Sequence, residues 1–197
     1  MFFLCFFLST YTHSVIRSIK NLEVEYPNGI QSCGADSLRF ALVSYTQQTR
    51  QINLDINNVV STTHFGNKMW NLFKYGLNRI QMMDTKLSSS LADRLPKAEE
   101  LASIPLVNRY ILSRLATAVM ASQAGFEKFR LHEATDATRR FIVEDLCDVY
   151  VEFSKSMIKD RQNATSLSTL NILSACMDVG LRLTHPFMPF VTEVSSW

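Results

Sequence analysis

The spacing of hydrophobic residues predicts long amphipathic helices in the carboxy-terminal two-thirds of the chain. From Val59 onward, apolar residues recur at intervals of three and four, which places them on one face of an α-helix. A first helix begins near Val59, and its stripe is Phe65, Met69, Leu72, Phe73, Gly76, Leu77 and Ile80. A second helix begins near Asn108, a plausible N-cap, and its stripe is Ile111, Leu115, Ala118, Val119, Ser122, Phe126 and Phe129.

Two further helices complete this pattern. The third spans about 134–159, with its stripe at Ile142, Leu146, Val149, Tyr150, Phe153 and Met157. The fourth spans about 163–183 and ends before Pro186 and Pro189; its stripe is Leu167, Leu170, Leu173, Met177 and Leu181. Amphipathic helices of about 20 residues with short polar connections are typical of an antiparallel helical bundle. We therefore predict a mainly α protein.

The segments outside the long helices carry weaker patterns. Residues 26–29 (YPNG) predict a turn, because Pro fixes φ and Gly accepts a positive φ. Asp36 to Tyr45 predicts a short helix, and the alternation from Gln51 to Ile56 predicts a strand or an extended connection. Residues 81–104 contain a serine run and Pro96, so we expect a linker with some local helix around residues 97–101.

Composition agrees with helices but does not decide function. The chain has 47% hydrophobic residues, and its 6 Gly and 5 Pro are few for a turn-rich β fold. A net charge of +2 neither indicates nor excludes a nucleic-acid partner. The apolar run from Met1 to Leu8 is far shorter than the ~20 residues that span a bilayer, so we expect no membrane partner. Residues 9–22 faintly resemble a transit peptide, but we interpret this region as a start inside a longer chain.

The residues that could bind metal or form disulfides do not have the spacing for it. The four cysteines contain no CxxC pair, and we expect reduced, mostly buried thiols. An acidic cluster lies on the third helix; its members are Glu144, Asp145, Asp148 and Glu152. No His follows a Glu by three residues, as a dimetal bundle site requires. We therefore expect ion pairs with basic residues of other helices and no metal site.

The sequence predicts no catalytic residue. It has no GxSxG nucleophile motif and no glycine-rich phosphate loop. Dispersed cations remain, and they either contact phosphates or form an ordinary solvated surface. They are Arg109, Arg114, Lys128, Arg130, Arg139, Arg140, Lys155, Lys159 and Arg161.

Six phrases resemble class I valine–tRNA ligases. Residues 33–40 (CGADSLRF) resemble the G-x-D-x-L-R-F segment of class I synthetases for aliphatic amino acids, and 45–55 (YTQQTRQINLD) are similar to the valine enzyme's G-R-D-I-N-L-D segment. Residues 65–71 (FGNKMWN) resemble the F-x-N-K-L-W-N helix opening. The phrases at 110–115, 146–152 and 185–193 follow in family order. Thr49 and Gln51 depart from the pattern, standing where Gly and Asp are usual.

The resemblance implies a domain organisation and a set of contacts. Residues 1–25 would be a hydrophobic extension outside the family, 26–62 a remnant of the stem-contact region next to the catalytic domain, and 63–197 an anticodon-binding helical bundle truncated at its carboxy terminus. The implied partners are valine-specific tRNA, rather than DNA, and the missing catalytic domain of the same enzyme. The candidate tRNA-binding residues are Arg50, Lys68, Arg109, Arg114, Lys128, Arg139 and Arg140.

The resemblance also implies what the chain lacks. The family uses ATP and Mg²⁺ to activate valine and then transfers it to tRNA, with His-Ile-Gly-His and Lys-Met-Ser-Lys-Ser phrases that this sequence does not contain. We therefore expect a chain without a cofactor that is inactive alone and supplies tRNA docking. Its expected location is the cytoplasm, with mitochondria as the alternative. Three alternatives stay open: a separately expressed tRNA-binding or regulatory fragment, a nonfunctional truncated gene product and, more remotely, a carboxylate-bridged metal oxidoreductase.

Overall fold

The chain divides into two units, Met1–Ser32 and Cys33–Trp197, in a computed structural model. The structure describes residues 15–16, 19–20, 24, 26–27, 29, 31–47, 54–83, 90–158 and 163–195. In the first unit, the backbone N–H of Gly29 donates to the carbonyl of Tyr26 at 3.0 Å, and Gly29 has φ of 77°. The turn predicted at residues 26–29 is therefore confirmed.

The regular elements in the described residues of the second unit are all helices, which confirms the predicted mainly α class. Its elements are α1 (Gly34–Ser44) with a short 3₁₀ turn (Tyr45–Gln47), α2 (Ile56–Met82), α3 (Leu91–Arg94), α4 (Leu106–Glu127), α5 (Leu131–Arg140), a π-helical segment (Phe141–Val151), α6 (Glu152–Met157), α7 (Ala164–Thr184) and α8 (Pro189–Ser195). None of the described helices is both long and apolar enough to cross a membrane.

Helix α2 begins earlier than its hydrophobic pattern suggests. The side chain of Asp55 accepts a hydrogen bond from the backbone N–H of Asn57 at 2.9 Å and so caps the helix. Ile56 is already helical, and Leu54 and Asp55 form no strand; residues 51–53 lie outside the described residues. Asp55 is extended and fits the predicted extended connection, whereas the prediction is wrong for Ile56, because the N-cap at Asp55 starts the helix there.

The linker also differs from its prediction. Its short helix is α3, whereas residues 97–103 form two successive turns, in which Glu100 N–H donates to Lys97 O and Ser103 N–H to Glu100 O. The local helix expected at 97–101 is therefore wrong. Pro105 has no N–H to donate to Leu101 and cannot extend a helix from this position.

The predicted third helix is one helical run whose middle is a π-helix. A π turn contains more residues than an α turn, so buried positions recur at longer intervals. The periodicity placed Phe153 and Met157 on the buried face, but the side chain of Phe153 is 56% exposed. Ser154 and Ile158 are buried instead, one residue further along.

Helix α7 lies at the centre of the bundle and is buried on nearly all sides between Thr169 and Met177. Asn108 of α4 packs against this helix. The prediction that Asn108 caps α4 is wrong, because α4 begins at Leu106, directly after Pro105. The Asn108 side chain is fully buried and donates to Thr169 Oγ1 at 3.1 Å. The Tyr150 hydroxyl lies 2.9 Å from Asn108 Oδ1 and 3.2 Å from the Thr169 carbonyl oxygen. Burial raises the pKa of this hydroxyl. This polar network joins α4, the π-helical segment and α7.

The predicted stripes are buried in their central parts and exposed at some ends. In α2 and α4 the buried members are Phe65, Met69, Leu72, Phe73, Gly76, Ile111, Leu115, Ala118 and Ser122. Leu77, Phe126 and Phe129 are exposed, which contradicts the prediction for them. Phe129 lies beyond the end of α4, where the stripe no longer faces the core. The described cysteines are free thiols, and only Cys176 is fully buried.

Two of the sequence segments that carry the family resemblance, residues 33–40 and 185–193, form hydrogen bonds with each other. The Asp36 carboxylate accepts the backbone N–H of Val191 at 2.7 Å, in the first turn of α8, where a helix favours negative charge. The Arg39 guanidinium donates to the carbonyls of Phe187 and Pro186 at 3.2 and 3.3 Å. Residues 33–40 therefore have a structural role in joining α1 to the segment that leads into α8.

Candidate nucleic-acid interface

A buried carboxylate positions one of the predicted tRNA-binding arginines. Tyr110 and Arg114 lie one turn apart on α4, and both contact Asp145 of the π-helical segment. Asp145 Oδ1 accepts the Tyr110 hydroxyl at 2.7 Å and lies 2.9 Å from Arg114 Nε. The Asp145 side chain is only 8% exposed, whereas that of Arg114 is 35% exposed. The carboxylate thus fixes a guanidinium that still reaches solvent.

Arg140 lies at the same place. A small cavity of about 80 Å³ between α4 and the π-helical segment is lined by Arg114, Arg140 and Asp145, together with Thr117, Ala118, Ala121, Ala137 and Phe141. Two predicted cations from different helices therefore line the same cavity, which we call the groove. A second acid close by, Glu144, lies 3.9 Å from Arg140 Nε with both side chains more than 60% exposed, so this pair contributes little.

The pKa of the Tyr110 hydroxyl depends on its contacts with Asp145 and Arg114. Its pKa is raised, first by its hydrogen bond to Asp145, then by burial and by the charge of Asp145, while Arg114 opposes the shift. We expect Asp145→Ala to lower the Tyr110 pKa towards the ordinary tyrosine value, because the largest cause of the shift is removed. NMR titration of ring-labelled tyrosine measures this. Glu144→Ala is the control and should leave the pKa unchanged; an equal pKa in Asp145→Ala would contradict the cluster.

Lys68 forms an ion pair between two of the sequence phrases. Its Nζ lies 2.6 Å from Asp148 Oδ1, which joins α2 to the π-helical segment. The side chains are 39% and 55% exposed, so the pair contributes at most about 1 kcal/mol. Lys68 is therefore held near the acidic cluster and lies beside a negative charge that any phosphate would have to displace.

The acidic cluster follows its prediction in part. Asp145 and Asp148 pair with cations of other helices, as expected. Glu144 and Glu152 instead pair within their own helical run, with Arg140 and Lys155, so the expectation is wrong for them. A π or α turn brings a cation three or four residues away within reach of an exposed carboxylate. Among the described residues, no group of three or more His, Cys, Asp or Glu is arranged to hold a metal ion.

The remaining predicted cations are spread along the bundle. Arg109, Lys128 and Arg139 are exposed and have no ion pair within the described part of the chain. Arg109 lies near the start of α4, whereas Lys128 follows the end of that helix, ~28 Å away at 1.5 Å per residue. Arg50 lies outside the described residues.

Sequence reasoning missed two features of this surface. Tyr110 was not predicted as a partner of Arg114, although two residues four apart on one helix face can share a contact. Phe129 was assigned to the core, yet its side chain is 91% exposed. Its position directly after Lys128 and before Arg130 was the available signal, because a helix stripe does not continue through its end.

Comparison with known proteins gives a consistent set of matches. Residues 108–195 match the model of a family described as the anticodon-binding domain of tRNA ligase. The chain is 41% identical over 179 residues to a valine–tRNA ligase of Rattus norvegicus, a stretch that covers 91% of this chain and 14% of the rat protein. It is 36% identical over 182 residues to a valine–tRNA ligase of Schizosaccharomyces pombe, covering 92% of this chain and 18% of that protein.

A mitochondrial protein is also among the relatives. The chain is 36% identical over 171 residues to the human mitochondrial valine–tRNA ligase, which covers 86% of this chain and 15% of that protein. The chain thus spans 14–18% of the length of these curated relatives, and the match lies in a carboxy-terminal part of them.

Proposed function

We propose that this chain docks tRNA from the anticodon side within a tRNA ligase. Two findings support this: the match to the anticodon-binding domain of tRNA ligase and the homology to valine–tRNA ligases. The observation that supports this most directly is the groove where Arg114 and Arg140 converge. Asp145 contacts Arg114 through Nε, so the terminal amino groups of the guanidinium can donate to a phosphate. A positioned guanidinium loses less entropy when it binds.

The finer features of the proposal rest on the names of the relatives for the tRNA and on the sequence resemblance for ATP and Mg²⁺. The tRNA is valine-specific, and ATP and Mg²⁺ act on the catalytic domain of the same enzyme and not on this chain. The protein works in the cytoplasm, with mitochondria as the alternative, since relatives with and without a mitochondrial name match at similar identity. Binding of valine-specific tRNA to this chain, compared with binding of isoleucine-specific tRNA by fluorescence anisotropy, tests the specificity.

The binding itself should be weak and depend on salt. With a net charge of +2, we expect a dissociation constant of ~10⁻⁵ M for tRNA, near the range of non-specific contact. Affinity should fall as salt rises, because each phosphate that pairs with a cation releases counterions. Fluorescence anisotropy with labelled tRNA at several salt concentrations measures both quantities.

We expect Arg139→Ala combined with Arg140→Ala to weaken tRNA binding and to reduce the salt slope by roughly 1 to 2, because one or two phosphate contacts are lost. The matched control removes the same two charges elsewhere, by Lys97→Ala with Arg182→Ala. Arg182 pairs with Asp178 on α7 and is not part of the groove. This control should retain the slope of the unsubstituted chain.

The contrary outcome for the double variant is also specific. If Arg139 and Arg140 only neutralise Glu144 and its neighbours, the double variant should melt at a lower temperature and bind tRNA unchanged. Thermal unfolding of the same preparations separates the two cases. Unchanged tRNA affinity and salt slope would contradict the role of these residues in docking.

A further inference from the structure

The connection between α4 and α5 contains a phenylalanine where glycine is usual. Helix α4 ends with Lys128 as its C-cap. The N–H of Phe129 donates to the Phe126 carbonyl at 3.1 Å, and the N–H of Arg130 donates to the Gly125 carbonyl at 2.8 Å. These two bonds form the Schellman arrangement, whose central residue adopts the left-handed conformation. Here that residue is Phe129, with φ of 54°.

Packing does not account for this residue. A bulky side chain disfavours the left-handed conformation, and Phe129 has the only positive φ among the described non-glycine residues. Its side chain is 91% exposed, so burial does not offset the strain. The neighbouring Phe126 is engaged elsewhere, stacked on Phe187 with ring centroids 5.6 Å apart. A strained, exposed aromatic residue of this kind points to contact with a ligand.

The charges beside the ring favour a nucleic acid. Lys128 is exposed and has no ion pair within the described residues, and Arg130 forms a solvent-exposed ion pair with Glu133 at 2.8 Å, with its side chain 47% exposed. Cations that flank an aromatic ring suit single-stranded nucleic acid, because a base stacks on the ring while its phosphates meet the cations. A protein partner would need a larger apolar surface than one isolated ring.

We propose that Phe129 is a base-stacking residue that takes one unpaired base of the bound RNA. This inference rests on the proposed function and specifies part of its contact surface. A base within a duplex is stacked on its neighbours and cannot meet the ring, so the contact selects unpaired nucleotides. The left-handed residue redirects the chain between α4 and α5, and its side chain is left 91% exposed to solvent.

The test compares Phe129 variants of the 197-residue chain on two RNA probes. One probe is a hairpin with an unpaired loop, and the other is a blunt duplex with the same stem sequence. We expect Phe129→Gly to weaken hairpin binding roughly 5- to 150-fold, the range for loss of one base–aromatic stack, and to leave duplex binding unchanged. We expect Phe129→Trp to keep hairpin affinity and Phe129→Leu to lose it, because leucine has no ring to stack.

Thermal unfolding supplies the opposite readout. Phe129→Gly should raise the melting temperature by roughly 2–4 °C, because glycine adopts the left-handed conformation without strain. A variant that is more stable and binds the hairpin less cannot be explained by misfolding. Phe153→Leu is the matched control, since Phe153 is also exposed and lies near a cation, Lys155, but belongs to the ordinary α-helix α6. It should leave hairpin affinity unchanged.

Three other results would contradict the base-stacking role of Phe129. Hairpin affinity unchanged in Phe129→Gly would overturn the inference, while tRNA docking by the groove would stand. Hairpin affinity retained in Phe129→Leu would assign the side chain to an apolar contact, as with a protein partner, and would also overturn it. If the unsubstituted chain binds neither tRNA nor the hairpin at low salt, the proposed function fails and the inference falls with it.

Discussion

Asn108→Ala should lower the free energy of unfolding by about 3 kcal/mol, since it breaks a buried polar network and leaves a cavity. Asn108 is fully buried and contacts both Thr169 and Tyr150. Without it, the Tyr150 hydroxyl keeps only the Thr169 carbonyl as an acceptor, and that oxygen lies at the longer distance of 3.2 Å. Three helical elements lose their shared contact in a single change.

Urea or thermal unfolding measures this loss, with a melting temperature expected to fall by roughly 6–12 °C. Asn78→Ala is the matched control, because Asn78 is exposed on α2 and alanine is the better helix former. This control should unfold at the same temperature or slightly above. A loss in Asn108→Ala no larger than that of Asn78→Ala would show that the network does not stabilise the bundle.

Gly125→Ala should lower the free energy of unfolding by about 2 kcal/mol, although alanine is favoured over glycine within helices. A Cβ at this position would lie 3.0 Å from the backbone nitrogen of Ala134 and 3.1 Å from the carbonyl oxygen of Arg130. Both are backbone atoms, so neither can rotate away as a flexible side chain would. The close approach of α4 and α5 therefore requires glycine.

Gly180→Ala is the control for this prediction. It is also a buried helical glycine, but its added Cβ would meet only side-chain carbons of Ile142 and Phe141 at 3.7 to 3.9 Å, ordinary contact distances. We expect it to stabilise the protein by up to ~1 kcal/mol, the helix preference of alanine. Chemical denaturation of both variants provides the comparison, and two shifts of the same sign and size would refute the crowding at Gly125.

Periodicity predicted the helices well where one face packs continuously on the core. The stripe from Phe65 to Phe73 on α2 and the stop at Pro186 follow directly from local sequence. The π-helical segment was beyond this reasoning, since its wider turn depends on packing against neighbouring helices and has no residue signature of its own. The role of Asn108 was missed for a related reason: an amide near a helix start reads as a cap unless its tertiary partners are known.

The candidate interface shows the same division. The types of residue could be predicted, because arginine and lysine contact phosphates. Which cations meet could not, since Arg114 and Asp145 lie 31 residues apart and Lys68 and Asp148 lie 80 apart. Such contacts depend on the rotation of each helix about its own axis, and an error of one residue turns a side chain by about 100°.

The contacts of Asp36 and Arg39 have a consequence for the order of folding during synthesis. Both bond to backbone groups 147 to 155 residues further along the chain. At about 5–20 residues per second, a ribosome needs on the order of ten seconds or more to supply those groups. Helix α1 therefore completes its contacts with residues 186–191 only after that later part of the chain has been made. The Phe40 ring can pack much earlier, because it lies 5.1 Å from the ring of Phe65 on α2, so α1 docks in two stages that the chain length separates.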